Sequence, residues 1–232
     1  MSAGRVERRP AAVYLENLPP WDGEERFKRV ATEILGAKPH KRNVERVTAF
    51  FIGAVARALD PGCKHDGVLI LCGGQRKGKS NFFRVLGGEL ATNTTIDIRS
   101  NIPFVSFSTA WLWNLDEIDL FIGDPERHEA KGVLTRAEDI VRALHARGPV
   151  RRPRGFVVVG TANTRQFFIT NTGSRRCWVV DVGHQIDLEL LQAWRDQLWA
   201  EALTRYLEGH PWWLTRRKTN TTRGRALAGG VA

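Results

Sequence analysis

The run Gly73-Gly-Gln-Arg-Lys-Gly78-Lys79-Ser80 has the residue types and spacing of a phosphate-binding P-loop. In such a turn, successive backbone N–H groups bind phosphate oxygens, and the next helix adds the positive end of its dipole. Lys79 then supplies a charge for the β- and γ-phosphates of ATP, and the Ser80 hydroxyl a ligand for Mg²⁺. The alternative is a chance match in a glycine-rich turn. The residues expected to contact ATP are Gly73, Gly74, Gln75, Arg76, Lys77, Gly78, Lys79, Ser80 and Asn81.

Two adjacent carboxylates, Asp116 and Glu117, follow a second apolar run. A carboxylate at the carboxyl end of a parallel strand can hold Mg²⁺ beside the phosphates, and its neighbour can polarise the attacking water. We assign Asp116 to the metal and Glu117 to the water, although the reverse assignment and a simple helix cap remain open. With Lys79, this pair predicts catalysis of ATP hydrolysis.

Three further polar residues stand at the ends of apolar runs. Asn163 follows the run 155–160, where its amide can reach the γ-phosphate and orient water; an ordinary turn-forming Asn is the alternative. Arg175 and Arg176 precede the last run and suit γ-phosphate sensing, either in their own subunit or as a finger reaching a neighbour. An exposed basic turn is the competing interpretation.

Residues 142–154 form the densest basic cluster of the chain. Gly148-Pro149 predicts a turn, so the segment is expected to project as a hairpin or loop that contacts the nucleic-acid backbone. A solvated loop is the alternative. The candidate contacts are Arg142, His145, Arg147, Arg151, Arg152 and Arg154.

Short continuous apolar runs are typical of strands covered on both faces, and here they alternate with helical segments. The predicted helices include Lys79 to about Leu86 and about His128 to His145. The alternation predicts an α/β fold with a parallel sheet flanked by helices. The four predicted strands lie at 67–72, 110–115, 155–160 and 177–181.

Helical spacing also precedes and follows this core, at 21–35, 43–59 and 187–207. We therefore divide the chain into a flexible basic N-terminus (1–12), an N-terminal helical region (13–62), a P-loop ATPase core (63–214) and a flexible basic tail (215–232).

The charge balance favours a polyanionic partner. Lys and Arg exceed Asp and Glu by 35 to 25, which gives a net charge of +10. A solvated basic surface would explain the same excess. The three cysteines show no metal-ligand spacing, and no apolar stretch is long enough to span a membrane, so we expect a cytoplasmic protein with no membrane partner.

With these motifs identified, the chain resembles the virulence-associated protein E family of prophage and phage-satellite replication genes, whose ATPase is similar to AAA+ and superfamily 3 helicase proteins. The resemblance covers nearly all of 13–214. Its most specific blocks are Gly160-Thr-Ala-Asn163 with Thr172-Gly-Ser-Arg175-Arg176-Cys-Trp178, Arg195-Asp-Gln-Leu-Trp-Ala-Glu-Ala202, and Trp212-Trp-Leu214.

The resemblance implies that Asn163 is the sensor residue, that Arg175 and Arg176 are finger or sensor arginines, and that 142–154 is a DNA-facing hairpin. It also implies a homo-oligomeric ring, such as a hexamer, in a bacterial host cell. Members of the family often have a primase domain upstream, and a separate primase is a further expected partner. Arg76 stands where the family usually has Gly.

Three functions remain open at this point. The first is a ring-forming, helicase-like ATPase that acts on single-stranded or forked DNA. The second is a nucleotide-gated DNA-binding or scaffold module with little turnover, which Arg76 favours. The third is a P-loop kinase for a small molecule, which leaves the basic charge without a role.

Overall fold

The computed structural model describes residues 9–92, 110–123, 130–141, 150–166, 168 and 176–215. Three helical segments precede the sheet: α1 (Pro10–Glu16), α2 (Phe27–Arg29) with a π-helical continuation (Val30–Ile34), and α3 (Lys41–Leu59). Helix α3 lies within two residues of its predicted start and ends where predicted. The helix predicted from Trp21 begins only at Phe27.

The P-loop run lies between β1 (Val68–Cys72) and α4 (Lys79–Gly87). A 3-10 turn (Gly88–Leu90) and β2 (Ala91–Thr92) follow. Next come β3 (Leu112–Leu115), α5 (Ile118–Gly123), α6 (Ala130–Thr135), β4 (Glu138–Val141) and β5 (Val150–Pro153). The described chain ends with β6 (Val157–Ala162), β7 (Cys177–Asp181) and α7 (Leu188–Leu207).

In the described part of the chain, five strands form one parallel sheet in the order β2-β3-β6-β1-β7, which confirms the predicted α/β class. Strand β6 therefore separates the strand before the P-loop run from the strand before the acid pair. Cys72 is in register with Ala162 on one side and Asp181 on the other, and Leu115 pairs with Gly160. The carboxyl ends of these four strands consequently meet at one edge.

The sheet is buried on both faces, as its continuous apolar strands require. Leu69 and Leu71 of β1 contribute to a core that includes residues of α3, α4 and α7, whereas Val68, Ile70 and Cys72 contribute to a core that includes residues of α5. This alternation follows from the two-residue period of a strand.

One predicted helix is wrong. Of the residues that the structure describes between His128 and His145, Ala130–Thr135 form α6 and Glu138–Val141 form strand β4, which pairs antiparallel with β5. The predicted hairpin is thus present as a two-stranded sheet, while its connection at 142–149 lies outside the described residues.

Candidate nucleotide site

The turn Gly73–Ser80 begins at the end of β1 and leads directly into α4. The N–H of Gly73 donates to the carbonyl of Ala162 (3.1 Å), which fixes the start of the turn to β6. Lys77 fixes its other side, because its Nζ donates to the carbonyl of Val182 (2.7 Å) and its carbonyl accepts from the N–H of Ile186 (3.0 Å). The turn is therefore held between β6 and the segment after β7.

Three residues of the turn, Gly73, Arg76 and Gly78, have a positive φ. Gly78, at the N-cap of α4, has φ of 83°, a conformation open to glycine without strain. Arg76 has φ of 61°, a region in which a β-carbon is unfavourable. Arg76 stands where the family that this chain resembles usually has Gly, and a glycine would adopt this backbone conformation without strain.

Lys79 is 8% exposed and its ammonium group is turned into the loop. Its Nζ donates to the carbonyls of Gly73 (2.6 Å) and Gly74 (2.7 Å) and to Asn163 Oδ1 (3.4 Å). Burial is the main cause of a lowered pKa for Lys79. Within the described residues, the acceptors of its hydrogen bonds are all neutral oxygens, so this desolvated cation is suited to an anionic ligand such as a phosphate.

Asp116 faces the start of α4, because its Oδ1 accepts a hydrogen bond from Ser80 Oγ at 2.5 Å. The same oxygen accepts from Asn114 Nδ2 at 2.9 Å and from Thr161 Oγ1 at 3.0 Å. Three donors from three elements thus converge on one carboxylate oxygen. This convergence fixes the Asp116 side chain beside the loop.

The Ser80 hydroxyl and the Asp116 carboxylate are hard oxygen donors of the kind that Mg²⁺ prefers. Among the described residues, no group of three or more His, Cys, Asp or Glu could hold a metal ion. Mg²⁺ usually takes one or two protein ligands and completes its shell with water and phosphate oxygens. The donor set therefore fits Mg²⁺ that arrives with a nucleotide.

Glu117 lies next to this pair with an exposed carboxylate. Its Oε1 accepts from Asn163 Nδ2 at 3.3 Å, and its N–H donates to Thr161 Oγ1 at 3.4 Å. The backbone of Glu117 has φ of 53°, so this residue also occupies a left-handed conformation. Asn163 consequently bridges Glu117 and Lys79, the two groups expected to act on water and phosphate.

Sequence patterns alone missed Asn114 and Thr161. Asn114 is 1% exposed in the middle of an apolar strand, two residues before Asp116. The two-residue period of a strand places Asn114 and Asp116 on the same side of the chain, and a buried amide needs hydrogen-bond partners. An Asn inside an apolar strand, two residues before the acid pair, could therefore have indicated this contact. Thr161 stands in the block Gly160–Asn163 but shows its contact only once β6 is known to neighbour β3.

The remaining predicted residues lie elsewhere. Arg176 immediately precedes β7, at the amino end of a strand in the parallel sheet, away from the edge that carries Asp116. Arg175, Arg142, His145 and Arg147 lie outside the described residues. Arg151 and Arg152 are exposed on β5, and Arg151 approaches Glu138 at 3.6 Å.

The prediction that Arg154 contacts nucleic acid needs correction. The residue is 3% exposed, its Nε donates to Asp139 Oδ2 at 2.9 Å, and its Nη2 pairs with Asp139 Oδ1. Its guanidinium also lies 4.7 Å from the centre of the Phe156 ring. The Arg154 side chain therefore links β4 to the end of β5 and packs on the core residue Phe156, and its buried cation requires a fixed anionic partner.

The fold and this site define an α/β protein in which the Gly73–Ser80 turn, an acid pair and an Asn meet at the carboxyl edge of a parallel sheet. The sequence matches the virulence-associated protein E-like domain over residues 15–226. The chain therefore belongs to the virulence-associated protein E-like family. None of the curated proteins compared with the chain matches it significantly.

Solved structures of the NrS-1 C-terminal region share the fold. The apo structure of that region (305–718) gives a TM-score of 0.55 at 12% identity, over 84% of this chain and 54% of that one. Two A-form apo structures give 0.52 and 0.54 at 11% identity, over 81% and 82% of this chain and 46% and 47% of theirs. The chain thus spans about half the length of these structures.

Across the described part of the chain, no helix combines the length and the apolar character needed to cross a bilayer.

Proposed function

We propose that the chain is an ATP-hydrolysing, ring-forming DNA motor, helicase-like in its action, that serves the replication of a phage or another mobile element. Membership of the virulence-associated protein E-like family relates it to the replication proteins of mobile elements. The likeness to the NrS-1 region concerns the fold alone.

The contact between Ser80 Oγ and Asp116 Oδ1 at 2.5 Å carries the proposal. It brings the first turn of a helix behind a phosphate-type loop together with a carboxylate from a different strand. A hydroxyl and a carboxylate placed in this way can both bind a metal ion when a metal–phosphate group lies between the loop and the strand. A glycine-rich turn that matched by chance would not require a carboxylate fixed by three donors.

Each residue then has a defined role. The N–H groups of the turn and Lys79 would bind the phosphates, and Ser80 and Asp116 would hold Mg²⁺, which would supply positive charge to the phosphates. Glu117 orients a water molecule and accepts its proton, and Asn163 holds the Glu117 carboxylate toward Lys79 at the loop.

The DNA partner is supported by the charge of +10 and by the exposed Arg151 and Arg152 on the β4–β5 hairpin. Both cations can neutralise phosphates without reading sequence. The ring is supported by the resemblance, in which Arg175 or Arg176 reaches the neighbouring subunit's nucleotide. A separate primase remains a proposed partner on the same ground.

Phosphate release from Mg·ATP, with and without a single-stranded oligonucleotide, tests the function. The wild-type chain should release phosphate faster with DNA. Glu117→Gln should lower the rate about 10²- to 10⁴-fold, because it removes the proton acceptor while keeping the size of the side chain. Glu189→Gln, on the exposed first turn of α7, is the matched control and should behave as wild type.

Equal rates for the wild type and for Glu117→Gln would contradict the proposal. A second candidate, a nucleotide-gated DNA-binding or scaffold module with little turnover, is favoured by the left-handed Arg76 in the turn. Tight ATP binding with no release under either condition would select that module. Turnover that requires a small acceptor would select a kinase.

A further inference from the structure

A second concave site lies at the amino ends of β1 and β7. It is a groove of about 720 Å³, and its walls include Gly67, which precedes β1, and Arg176, which precedes β7. The P-loop turn follows the opposite end of β1, and five strand residues at about 3.3 Å each separate the two ends by roughly 16 Å. The groove is therefore distinct from the nucleotide site.

The groove carries an excess of positive charge. Among the described residues, Arg42, Lys64 and Arg176 line it, together with one carboxylate, Asp66. Lys64 approaches Asp66 only at 3.7 Å and its side chain is 86% exposed. Within the described part of the chain, Arg176 has no hydrogen bond or ion pair. Two cations are therefore available to an anionic ligand.

Tryptophans form another part of the wall. Trp212 is held in place, since its Nε1 donates to the carbonyl of Lys64 at 3.0 Å and its ring packs against Tyr206 at 5.7 Å. Trp213 meets Trp212 edge to face at 5.4 Å, yet remains 58% exposed. An exposed indole anchored by a second indole is a suitable surface for a flat ligand.

The floor of the groove is rigid. Trp178 is 5% exposed, and its ring packs so closely on Gly67 that a β-carbon there would lie 1.9 Å from it. Its ring also meets the buried His65 edge to face at 5.6 Å. Trp178 is thus part of the support, and Trp213 is the ring that a ligand can reach.

We propose that this groove binds single-stranded nucleic acid, with one base stacked on Trp213 and flanking phosphates contacted by Arg176 and Lys64. Cations beside an exposed aromatic ring match the alternation of phosphate and base along a single strand. A purely apolar partner would leave the cations desolvated, and a duplex would keep its bases stacked on one another. The choice of DNA as ligand rests on the proposed function, but the site does not depend on ATP turnover.

The assignment also separates the two arginines. Arg176 contacts the strand in the groove, so the proposed finger role passes to Arg175.

The test measures binding of a labelled 20-nucleotide oligothymidylate to the full chain by fluorescence anisotropy, without nucleotide. Trp213→Ala should raise the Kd about 5- to 150-fold, which is the effect of losing one stacked base. Trp213→Phe should retain most of the affinity. Arg176→Ala should weaken binding and reduce the slope of log K against log salt by about 0.7, as expected for one phosphate contact on a single strand.

Two controls isolate the site. Leu207→Ala removes another exposed apolar side chain (73% exposed) and should not change the Kd. Lys79→Ala should abolish ATP hydrolysis but leave oligothymidylate binding intact. The proposal for the groove and the proposal of an ATPase are therefore tested independently.

Unchanged affinity in Trp213→Ala would overturn the proposal. A change of particle mass in Trp213→Ala with unaltered affinity would also overturn it, because the groove would then be a contact between copies of the chain. If thymidine monophosphate displaced the labelled oligothymidylate completely at the same molar concentration, the groove would be assigned to a free nucleotide instead.

Discussion

Arg76 combines a side chain with a backbone conformation that favours glycine, since its φ is 61°. A non-glycine residue in this region costs about 1–2 kcal/mol, part of which is offset because a side chain also restricts the unfolded chain. Arg76→Gly should therefore raise the free energy of unfolding by about 0.5–1 kcal/mol. Urea denaturation measures this change.

Arg76→Ala is the matched variant, because it removes the charge and keeps the β-carbon. It should show no comparable gain. Equal stabilisation by both substitutions would mean that the guanidinium, and not the backbone, was the source of the cost.

His65 is a buried residue whose titration should be visible in stability. It is 6% exposed, and burial, with a smaller effect of the Arg57 charge, lowers its pKa to about 3. In the unfolded chain a His has a pKa near 6.5. Below that pH, the His is protonated in the unfolded state but stays neutral in the folded state, which favours unfolding. The free energy of unfolding should fall by about 2 kcal/mol between pH 7.5 and 5 from this residue alone.

His65→Leu removes the titrating group and keeps an apolar side chain against Trp178. Urea denaturation of both proteins at the two pH values gives the comparison. The substituted chain should lack this part of the pH dependence; an identical decline in both proteins would show that His65 is protonated in the folded state.

The Arg154–Asp139 pair links β4 to the residue that follows β5 at the base of the hairpin, and its side chains are 2% and 7% exposed. Removing one partner of a buried pair leaves the other charge uncompensated. Asp139→Ala should therefore lower the free energy of unfolding by about 3–5 kcal/mol, measured by chemical denaturation.

Glu138, the preceding residue, offers the control because it reaches Arg151 only at 3.6 Å on an exposed surface. Glu138→Ala should change the stability by less than about 0.5 kcal/mol. Similar losses in the two variants would contradict the structural role given to Arg154.

The elements that carry strong local patterns could be predicted from the sequence. Helix α3 and strands β1 and β7 are examples, because an apolar period or run is bounded by clear turn residues such as Asp60-Pro61-Gly62. Strand β2 could not, since two residues carry no period. The start of α2 depends on distant contacts, as the N–H of Arg26 donates to Glu201 at 2.8 Å.

Strand β4 was missed for another reason. Its four residues, Glu138–Val141, follow a helix in a segment whose sequence predicts one continuous helix. The strand is defined by its pairing with β5, which lies later in the chain. The same pairing brings Arg154 back to the core. A basic segment therefore appeared uniform in sequence, while the fold divides it into exposed Arg151 and Arg152 and buried Arg154.

At the scale of the whole molecule, the edge of the sheet assembles groups from distant parts of the chain. The P-loop turn and the acid pair could be predicted because each follows an apolar strand. The convergence of Ser80, Asn114 and Thr161 on Asp116 could not, because it requires β6 to lie between β1 and β3. A parallel order of non-consecutive strands is a property of the complete fold.

The proposed ring makes a prediction about mixed assemblies. If Arg175 acts on a neighbour's nucleotide, Arg175→Ala subunits mixed with Lys79→Ala subunits should regain part of the ATPase activity, since some interfaces then pair an intact loop with an intact arginine. Phosphate release from the mixture is compared with that of each variant alone. No recovery in mixtures that assemble would count against the ring.

The central claim is that the Gly73–Ser80 turn, with the Asp116 carboxylate facing it, is a Mg·ATP site. Calorimetric titration of Mg·ATP into the wild-type chain and into Lys79→Ala tests this claim most directly. The account predicts saturable binding of one nucleotide per chain and its loss in Lys79→Ala. Binding of equal strength in both proteins, or in neither, would contradict it.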